Sequence, residues 1–226
     1  MRKITFENGK YYHVYNRGVE KRNIFRDDKD RFRFIHDLYE FNDINPVGNN
    51  YGVPVSVIQK NQKRRRELLV NILCFCLIPN HYHLILEQLV DNGISLFMQK
   101  LGGYVYSFNL KYERVGPLFQ GKFKAIQIEN ENGLLHLSRY QHINPLEIIE
   151  PNWKEEGIKD WGKAIQFLES YRWSSYLDYI GKKNFPSVTQ RELINTYFGK
   201  PEDYQKFVTE FLLEDLEKIK DLLIEK

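Results

Sequence analysis

The sequence predicts an α+β fold, a ferredoxin-like antiparallel sheet with crossover helices, followed by a C-terminal helical extension. Three observations lead to this prediction. Strand-like and helix-like segments follow one another in the order β–α–β–β–α–β–α. Two of the strand-like segments are joined by a Pro-Asn turn that is typical of a hairpin. After Pro151 the remaining segments are mostly helical and highly charged.

The first half of the sheet is predicted from an aromatic strand, a helix and a hairpin. YYHVYNRGV (Tyr11 to Val19) is rich in aromatic and β-branched residues, which favours a strand. RDDKDRFRFIHDLYEFN (Arg26 to Asn42) has apolar residues at helical spacing and acidic residues near its start, which favours a helix. LLVNILCFCLI (68–78) and HYHLILEQ (81–88) are the two strands of the hairpin.

The second half is predicted to be a long helix, a short strand and another helix. The long helix runs from Ile94 to about Arg114, and Gly102 and Gly103 weaken it without excluding it. PLFQGKFKAIQI contains a strand at about Phe123 to Ile128. NENGLLHLSRYQHINP is predicted to be a helix that Pro145 ends or bends.

Composition narrows the class of protein. A length of 226 residues suits one large domain, or a core domain with an appendage. A net charge of +3 permits nucleic-acid binding without requiring it. The N-terminus shows no apolar segment of signal length, and no run approaches the roughly 18 apolar residues of a membrane helix. We expect a soluble, cytoplasmic protein in which Cys74 and Cys76 are reduced core residues.

The segment CLIPNHYHLILEQ places two histidines in an apolar strand. Side chains alternate along a strand, so His81 and His83 share one face and Tyr82 takes the other. Their Cα atoms should lie about 6.6 Å apart, close enough for both imidazoles to bind one ion. Glu87 lies about 13 Å beyond His83, too far to join them easily. The alternative is a pair of partly buried structural histidines that are hydrogen-bonded to their neighbours.

A second polar group lies on the helix before Pro145. His136, Tyr140 and Asn144 follow at intervals of four, along one helix face. In the alternative interpretation Tyr140 packs in the core and Asn144 merely ends the helix. Together with the histidine pair, the stripe suggests a metal, held by two imidazoles and an amide oxygen, that polarises a phosphodiester for attack by a phenol. A free phenol has a pKa of about 10, so this attack needs a base or charge neutralisation at the phosphate.

These segments resemble a known family. IPNHYHLIL is similar to the His-hydrophobic-His signature of the HUH endonucleases. GPLFQGKFK followed by LSRYQHINPLE resembles the single-tyrosine transposases, specifically the REP-associated tyrosine transposase group. YYHVYNRGV and YRWSSYLDYIG resemble that group's first strand and C-terminal segment, so the resemblance runs in order from about Tyr11 to Gly181. Two features depart from it: Tyr82 is bulkier than usual, and YGVPVSVIQKNQKRRRE has no equivalent.

The resemblance implies specific roles for four residues. His81 and His83 would be the metal-binding pair, Asn144 the third ligand and Tyr140 the nucleophile. The implied fold, that of the HUH endonucleases, agrees with the ferredoxin-like prediction. The implied activity is cleavage and transfer of single-stranded DNA near hairpins, through a 5′-phosphotyrosine intermediate and with Mg²⁺ or Mn²⁺ as the metal. The expected partner is single-stranded DNA with hairpin structure, bound by a monomer or homodimer in a bacterial-type cytoplasm, at the nucleoid.

Basic residues near these segments are candidate DNA contacts. Basic side chains interleaved with aromatic ones suit a single strand, because phosphates meet the charges while bases stack on the rings. The alternative for each is an ordinary solvated charge. The candidates are Arg17, Lys63, Arg64, Arg65, Arg66, Lys122 and Lys124.

We predict a division of the chain near residue 150. Residues 1–150 would form the HUH-type catalytic domain, and residues 151–226 a helical extension packed on or beside it. The rival interpretation is a non-catalytic protein that binds hairpin or single-stranded DNA and keeps the fold. Such a protein would bind hairpin DNA without forming a covalent adduct.

Overall fold

The sheet has the strand order of a ferredoxin-like fold. The structure is a computed structural model that describes residues 4–45 and 66–213. Its strands are β1 (Tyr11–Arg17), β2 (Val70–Ile78), β3 (His81–Gln88) and β4 (Lys124–Ile128). They lie in the order β2-β3-β1-β4, and β1 pairs antiparallel with β3. This order, with helices crossing between the first and second strands and between the third and fourth, confirms the predicted fold class.

The helices follow the predicted sequence of elements, with one correction. They are α1 (Asp28–Glu40), α2 (Gly93–Leu101), α3 (Gly103–Lys111), α4 (Glu131–Ile143), α5 (Trp153–Glu156), α6 (Trp161–Ser170), α7 (Tyr176–Tyr179), α8 (Glu192–Asn195) and α9 (Pro201–Leu213), with 3₁₀ turns at Val19–Lys21 and Asn144–Ile148. The single helix predicted from Ile94 to about Arg114 is two helices that meet at Gly102. Two adjacent glycines there lower helix propensity enough for the chain to break between two packed segments.

Local sequence explains where several elements begin and end. Asp27 caps α1 in a reciprocal capping box, in which its side chain accepts from the backbone N–H of Asp30. β1 ends at Arg17, and at the next residue, Gly18, a Cβ atom would lie 2.1 Å from the carbonyl oxygen of Arg22. Only glycine allows this close approach.

Contacts group the described chain into two compact units, and each is considered by itself. Residues 4–45, 66–72 and 79–127 belong to the first, and residues 73–78 and 128–213 to the second. These limits differ from the predicted division near residue 150. That division concerns where catalysis resides, and it stays a prediction.

The first unit buries one face of β1 and β3 beneath α1 and α3. Tyr82 is 2% exposed, and its ring lies 5.0 Å from that of Phe34 on α1. Phe34 in turn meets Tyr104 of α3 edge to face at 5.1 Å. Tyr82, the bulky residue between the two histidines, therefore belongs to the core.

The second unit has a core of apolar and aromatic residues around residues 73–78, α4 and α9. Cys74 and Cys76 are both fully buried, as expected of core residues. Burial raises the pKa of the Cys74 thiol to about 12, so this thiol is un-ionised and unreactive at neutral pH. Within the described ranges, no helix combines the length and apolar character needed to cross a bilayer.

Candidate active site

The histidine pair lies on one face of β3, as the strand period predicts. His81 is 3% exposed and His83 is fully buried. Their ring centroids are 4.9 Å apart and the ring planes are nearly perpendicular, at 85°. Imidazole nitrogens bind metals at about 2.1 Å, so two rings at this separation are close enough to share one ion.

Hydrogen bonds determine which nitrogen of each ring could bind a metal. Nδ1 of His81 lies 2.5 Å from the side-chain oxygen of Asn80, which can only accept. Nδ1 of His81 therefore carries the proton, and its Nε2 carries the lone pair. Nδ1 of His83 lies 2.9 Å from Nε2 of His13. If His83 donates in this bond, its lone pair is also on Nε2, and both rings match the usual pattern of metal-bound histidines.

His13 lies beside the histidine pair, and the sequence analysis did not single it out. In the antiparallel register Tyr15 faces His83 and His13 faces Ile85, so both side chains share the face of the histidine pair. The His13 ring stacks on His83 with centroids 5.1 Å apart, and it is 4% exposed. The signal lay in YYHVYNRGV, where the alternate residues His13, Tyr15 and Arg17 occupy one face of the first strand.

Two of the candidate DNA-binding cations lie on this same face of the first unit. Arg17 is opposite His81 in the β1–β3 register and is half-buried. The ammonium group of Lys124, an exposed residue of β4, lies 5.8 Å from the centre of the Tyr15 ring. Lys122 is also exposed, in the segment that leads into β4. The charges of Arg17 and Lys124 therefore border the histidine pair.

The basic run before β2 is described only at its last residue. Lys63, Arg64 and Arg65 lie outside the described residues. The guanidinium of Arg66 lies 3.6 Å from the centre of the Tyr39 ring and donates a hydrogen bond to the Tyr39 carbonyl oxygen. Burial lowers the pKa of this guanidinium. Arg66 thus packs against α1, and its role as a DNA contact stays a prediction.

In the second unit, Tyr140 lies on α4. Asn130 caps this helix by accepting from the N–H of Gly133 at 2.8 Å, and the helix ends before Pro145 as the sequence predicts. Tyr140 is 3% exposed and its ring centroid is 6.4 Å from that of Trp153. The ammonium group of Lys154 lies 5.4 Å from the ring centre of Tyr140, so positive charge is close to the phenol.

Asn144 is buried in an unusual way. Its side chain is fully buried, and neither its Oδ1 nor its Nδ2 has a hydrogen-bond partner among the residues that the structure describes. An unsatisfied buried amide costs about 1–3 kcal/mol, so a ligand, an ion or a water that satisfies it is favoured there. An amide oxygen is a suitable donor for Mg²⁺ or Mn²⁺. The orphaned amide therefore fits the role of metal ligand that the family resemblance implies.

His136, the other candidate on the stripe, makes different contacts. Its Nδ1 lies 2.5 Å from a guanidinium nitrogen of Arg139, and its ring centroid is 6.4 Å from that of Phe207 on α9. Arg139 in turn lies over the rings of Phe207 and Phe211, at 4.5 Å and 4.2 Å from their centres. These contacts associate His136 with the packing of α4 against α9. The preference for Asn144 over His136 as third ligand stays a prediction.

His142 is a second histidine that the sequence analysis did not single out. It is fully buried and hydrogen-bonded at both ring nitrogens, to Tyr204 at 2.7 Å and to Ser175 at 2.8 Å. Desolvation lowers the pKa of His142 to about 3, so the ring is neutral at pH 7. No local pattern marks this residue, because its partners are 62 and 33 positions away.

The candidate residues are divided between the two compact units. His13, His81 and His83 belong to the first, and Tyr140 and Asn144 to the second. Within residues 4–45 and 66–213, no group of three or more His, Cys, Asp or Glu side chains could hold a metal ion. The ligand set implied by the resemblance has two histidines and one amide, so it does not depend on such a group.

Comparison with known proteins supports the fold. The chain is similar to a solved REP-associated tyrosine transposase bound to a REP hairpin, with a TM-score of 0.50 and 13% sequence identity over 84% of this chain and 90% of that one. This similarity shows the fold that the resemblance implied. The tRNA(His) guanylyltransferase of Saccharomyces cerevisiae matches more weakly, with a TM-score of 0.35 and 9% identity over 94% and 83% of the two chains, and it carries no argument. No family model and no curated protein matches the sequence.

Proposed function

We propose that this chain is a metal-dependent single-stranded DNA endonuclease and strand transferase that acts near DNA hairpins. Tyr140 is the nucleophile, and His81, His83 and Asn144 are the metal ligands. The observation that carries the proposal is the buried histidine pair, whose hydrogen bonds suit two Nε2 donors on one strand face. The shared fold and the orphaned amide of Asn144 support it independently.

The reaction we propose exchanges one phosphodiester for another. The phenol oxygen of Tyr140 attacks phosphorus and loses its proton, while the bond from phosphorus to the 3′ oxygen breaks. The departing 3′ oxygen takes up a proton, which leaves a 3′-hydroxyl and a 5′-phosphate joined to the tyrosine. Ligation is the reverse step with a new 3′-hydroxyl. The exchange is nearly isoenergetic, so it needs no external energy source.

The metal ion and the basic side chains have separate roles in this reaction. A divalent ion such as Mg²⁺ or Mn²⁺, when bound, would offset charge that develops on the phosphate. Arg17, opposite His81, and Lys124, near the Tyr15 ring, would bind phosphates next to the histidine pair. The ammonium group of Lys154 near Tyr140 favours the negative charge that forms on the phenol during attack.

The test is a covalent-adduct assay with hairpin oligonucleotides and Mn²⁺ on a denaturing gel. Wild type should give a slowly migrating protein–DNA species when the label lies 3′ of the cut, and a free fragment when it lies 5′. Tyr140→Phe should abolish the adduct while hairpin binding and folding remain, because only a hydroxyl is lost. The matched control is Tyr106→Phe, at a residue 71% exposed on α3, which should form the adduct normally.

The rival function is DNA binding without catalysis. The observation that favours it is the burial of Tyr140, whose ring is only 3% exposed and packs near Trp153. A wild-type protein that binds hairpins but forms no adduct on any of them would support this rival. An adduct that persists in Tyr140→Phe would instead assign the nucleophile to another tyrosine.

A further inference from the structure

The first unit contains a cavity of about 620 Å³ on the sheet face opposite the histidine pair. Asn16 and Tyr82 line it, and they face each other across β1 and β3. Side chains alternate along a strand, so Asn16 and Tyr82 lie on the face opposite to that of His81 and His83. The cavity and the histidine pair are therefore on opposite sides of the sheet. We call this cavity the aromatic pocket. Its volume is within the range of small-molecule binding sites.

Four aromatic rings line the aromatic pocket: Phe34, Tyr82, Phe119 and Phe123. Phe34 and Tyr82 are almost fully buried and belong to the core. Phe119 meets Tyr82 edge to face at 5.7 Å, and both Phe119 and Phe123 are half-buried. The accessible parts of Phe119 and Phe123 therefore offer aromatic surface to a flat ligand.

Polar groups occur at a few positions of the same lining. Ser95 is half-buried, and Gln99 and Lys122 are exposed, so hydroxyl, amide and ammonium groups are available there. A hydroxyl and an amide can hydrogen-bond the edge of a heterocyclic base. An ammonium group can pair with a phosphate. Aromatic walls with one cation and a few hydrogen-bonding groups match a nucleotide better than a purely apolar ligand.

The wall that carries Phe119 is held in place by hydrogen bonds to β1. The side chain of Asn16 donates to the carbonyl oxygen of Gly121 at 3.0 Å and accepts from the N–H of Arg17 at 2.9 Å. Gln120 donates its N–H to the carbonyl oxygen of Arg17 at 2.9 Å. The pocket is thus preformed, which lowers the entropy cost of binding.

We propose that the aromatic pocket binds one unpaired base of a single-stranded DNA segment, stacked against Phe119, with Lys122 on an adjoining phosphate. The proposal rests on the proposed function for its DNA partner, but not on cleavage. The proposal adds a site that recognises an unpaired base, on the sheet face opposite the histidine pair. A protein that positions a hairpin through such a site would distinguish substrates by an unpaired base.

The experiment is a scan of abasic sites, read by fluorescence anisotropy. In the hairpin oligonucleotide that wild type binds most tightly, each unpaired nucleotide is replaced in turn by an abasic one. The titrations are done in EDTA, so that no strand is cut. One position should weaken wild-type binding by about 5- to 150-fold, the range expected for losing a base stacked on an aromatic ring.

Two variants remove the pocket in different ways. Ser95→Trp fills it with a large side chain, and Phe119→Leu keeps apolar volume but removes the stacking ring. One DNA position is the one where an abasic nucleotide weakens wild-type binding. In both variants, an abasic nucleotide at that position should weaken binding no more than one at the neighbouring positions. The matched control is Leu96→Trp, which places the same side chain on the next residue of α2, 43% exposed and not part of the lining. Leu96→Trp should reproduce the wild-type scan, and circular dichroism verifies that each variant is folded.

The outcomes separate this proposal from the proposed function. If wild type binds hairpin DNA but its abasic scan is flat, or is unchanged in both pocket variants, the base site is wrong and the proposed function stands. If wild type binds no hairpin, both fail. The free nucleotides dAMP, dCMP, dGMP and TMP are added as competitors. Competition as strong as that of the whole oligonucleotide would reassign the pocket to a free nucleotide and overturn the proposal.

Discussion

At the scale of single residues, the proton on each imidazole determines what the histidine pair can do. The hydrogen bond between Nδ1 of His83 and Nε2 of His13 restrains the orientation of a candidate metal ligand. Partners of this kind commonly contribute 10- to 100-fold to metal affinity. We therefore propose that His13 is a positioning residue for the histidine pair.

The first prediction concerns this positioning role. His13→Phe keeps an aromatic ring in the stack but removes the nitrogen, so it should weaken Mn²⁺ binding about 10- to 100-fold. Isothermal titration calorimetry of the protein without DNA measures this directly. His81→Ala and His83→Ala, which remove proposed ligands, set the upper limit of the loss.

The control for this prediction is the same substitution at another histidine. His36→Phe, on α1, changes a half-buried imidazole that is outside the proposed site and should leave Mn²⁺ binding unchanged. Unchanged Mn²⁺ affinity in both His81→Ala and His83→Ala would remove the metal site from the proposal. Unchanged affinity in His13→Phe alone would remove only the positioning role.

At the scale of elements, a chain of hydrogen bonds fastens α4 within the second unit. The N–H of Phe75 donates to Ser175 at 3.0 Å, and Ser175 lies 2.8 Å from Nε2 of His142. On the other side of the ring, Nδ1 is 2.7 Å from the hydroxyl of Tyr204, which donates to Ser138 at 3.1 Å. If His142 carries its proton on Nδ1, each group in the chain donates to the next one, from the N–H of Phe75 to the hydroxyl of Ser138. The helix that bears Tyr140 is thereby tied to α9.

The second prediction tests this network. Tyr204→Phe removes the hydroxyl that connects His142 to Ser138, and it leaves buried polar groups without that partner. We expect the free energy of unfolding to fall by about 1–3 kcal/mol. Tyr197→Phe, at a residue 39% exposed, is the control and should cost less than about 0.5 kcal/mol. Urea denaturation at pH 7 measures both, and equal losses would mean that the network contributes no more than a surface hydroxyl.

At the scale of the whole molecule, the net charge of +3 is too small to hold DNA by its general field. The proposed DNA binding would therefore depend on local groups of cations. Arg66 already stacks on Tyr39, so replacing it would disturb packing as well as charge. The residues before it, Lys63, Arg64 and Arg65, are therefore the cleaner test of the basic run.

The third prediction is that replacing Lys63, Arg64 and Arg65 together with alanine weakens hairpin binding with little dependence on DNA sequence. If all three meet phosphates of a single strand, the slope of log affinity against log salt should become shallower by about 2, because each contact accounts for about 0.7. Anisotropy titrations over a range of salt concentrations give this slope.

The control for the third prediction removes the same charge elsewhere. Alanine at Lys10, Lys29 and Lys183, three exposed lysines, lowers the net charge equally. A similar change of slope in both triple variants would show that only net charge matters. An unchanged slope in the first variant would make the basic run an ordinary solvated surface.

The sequence by itself determined the order of strands and helices and the shared face of His81 and His83. These follow from local rules, since a strand alternates every two residues and a capping box or a proline acts within a few positions. Resemblance to a family also indicated Tyr140 as the nucleophile and Asn144 as the third metal ligand. The break at Gly102 was not foreseen, because propensity weakens a helix without saying whether packing will restore it.

Only the tertiary structure decided which residues meet across the chain. His13 and His83 are 70 positions apart, and the aromatic pocket joins residues from β1, α1, α2 and the segment before β4. Whether the buried amide of Asn144 has a partner likewise depends on everything packed around it. Such contacts depend on strand register and helix packing, which bring together side chains that no local pattern connects. For that reason the histidine pair was predictable, while its contact with His13 and the aromatic pocket were not.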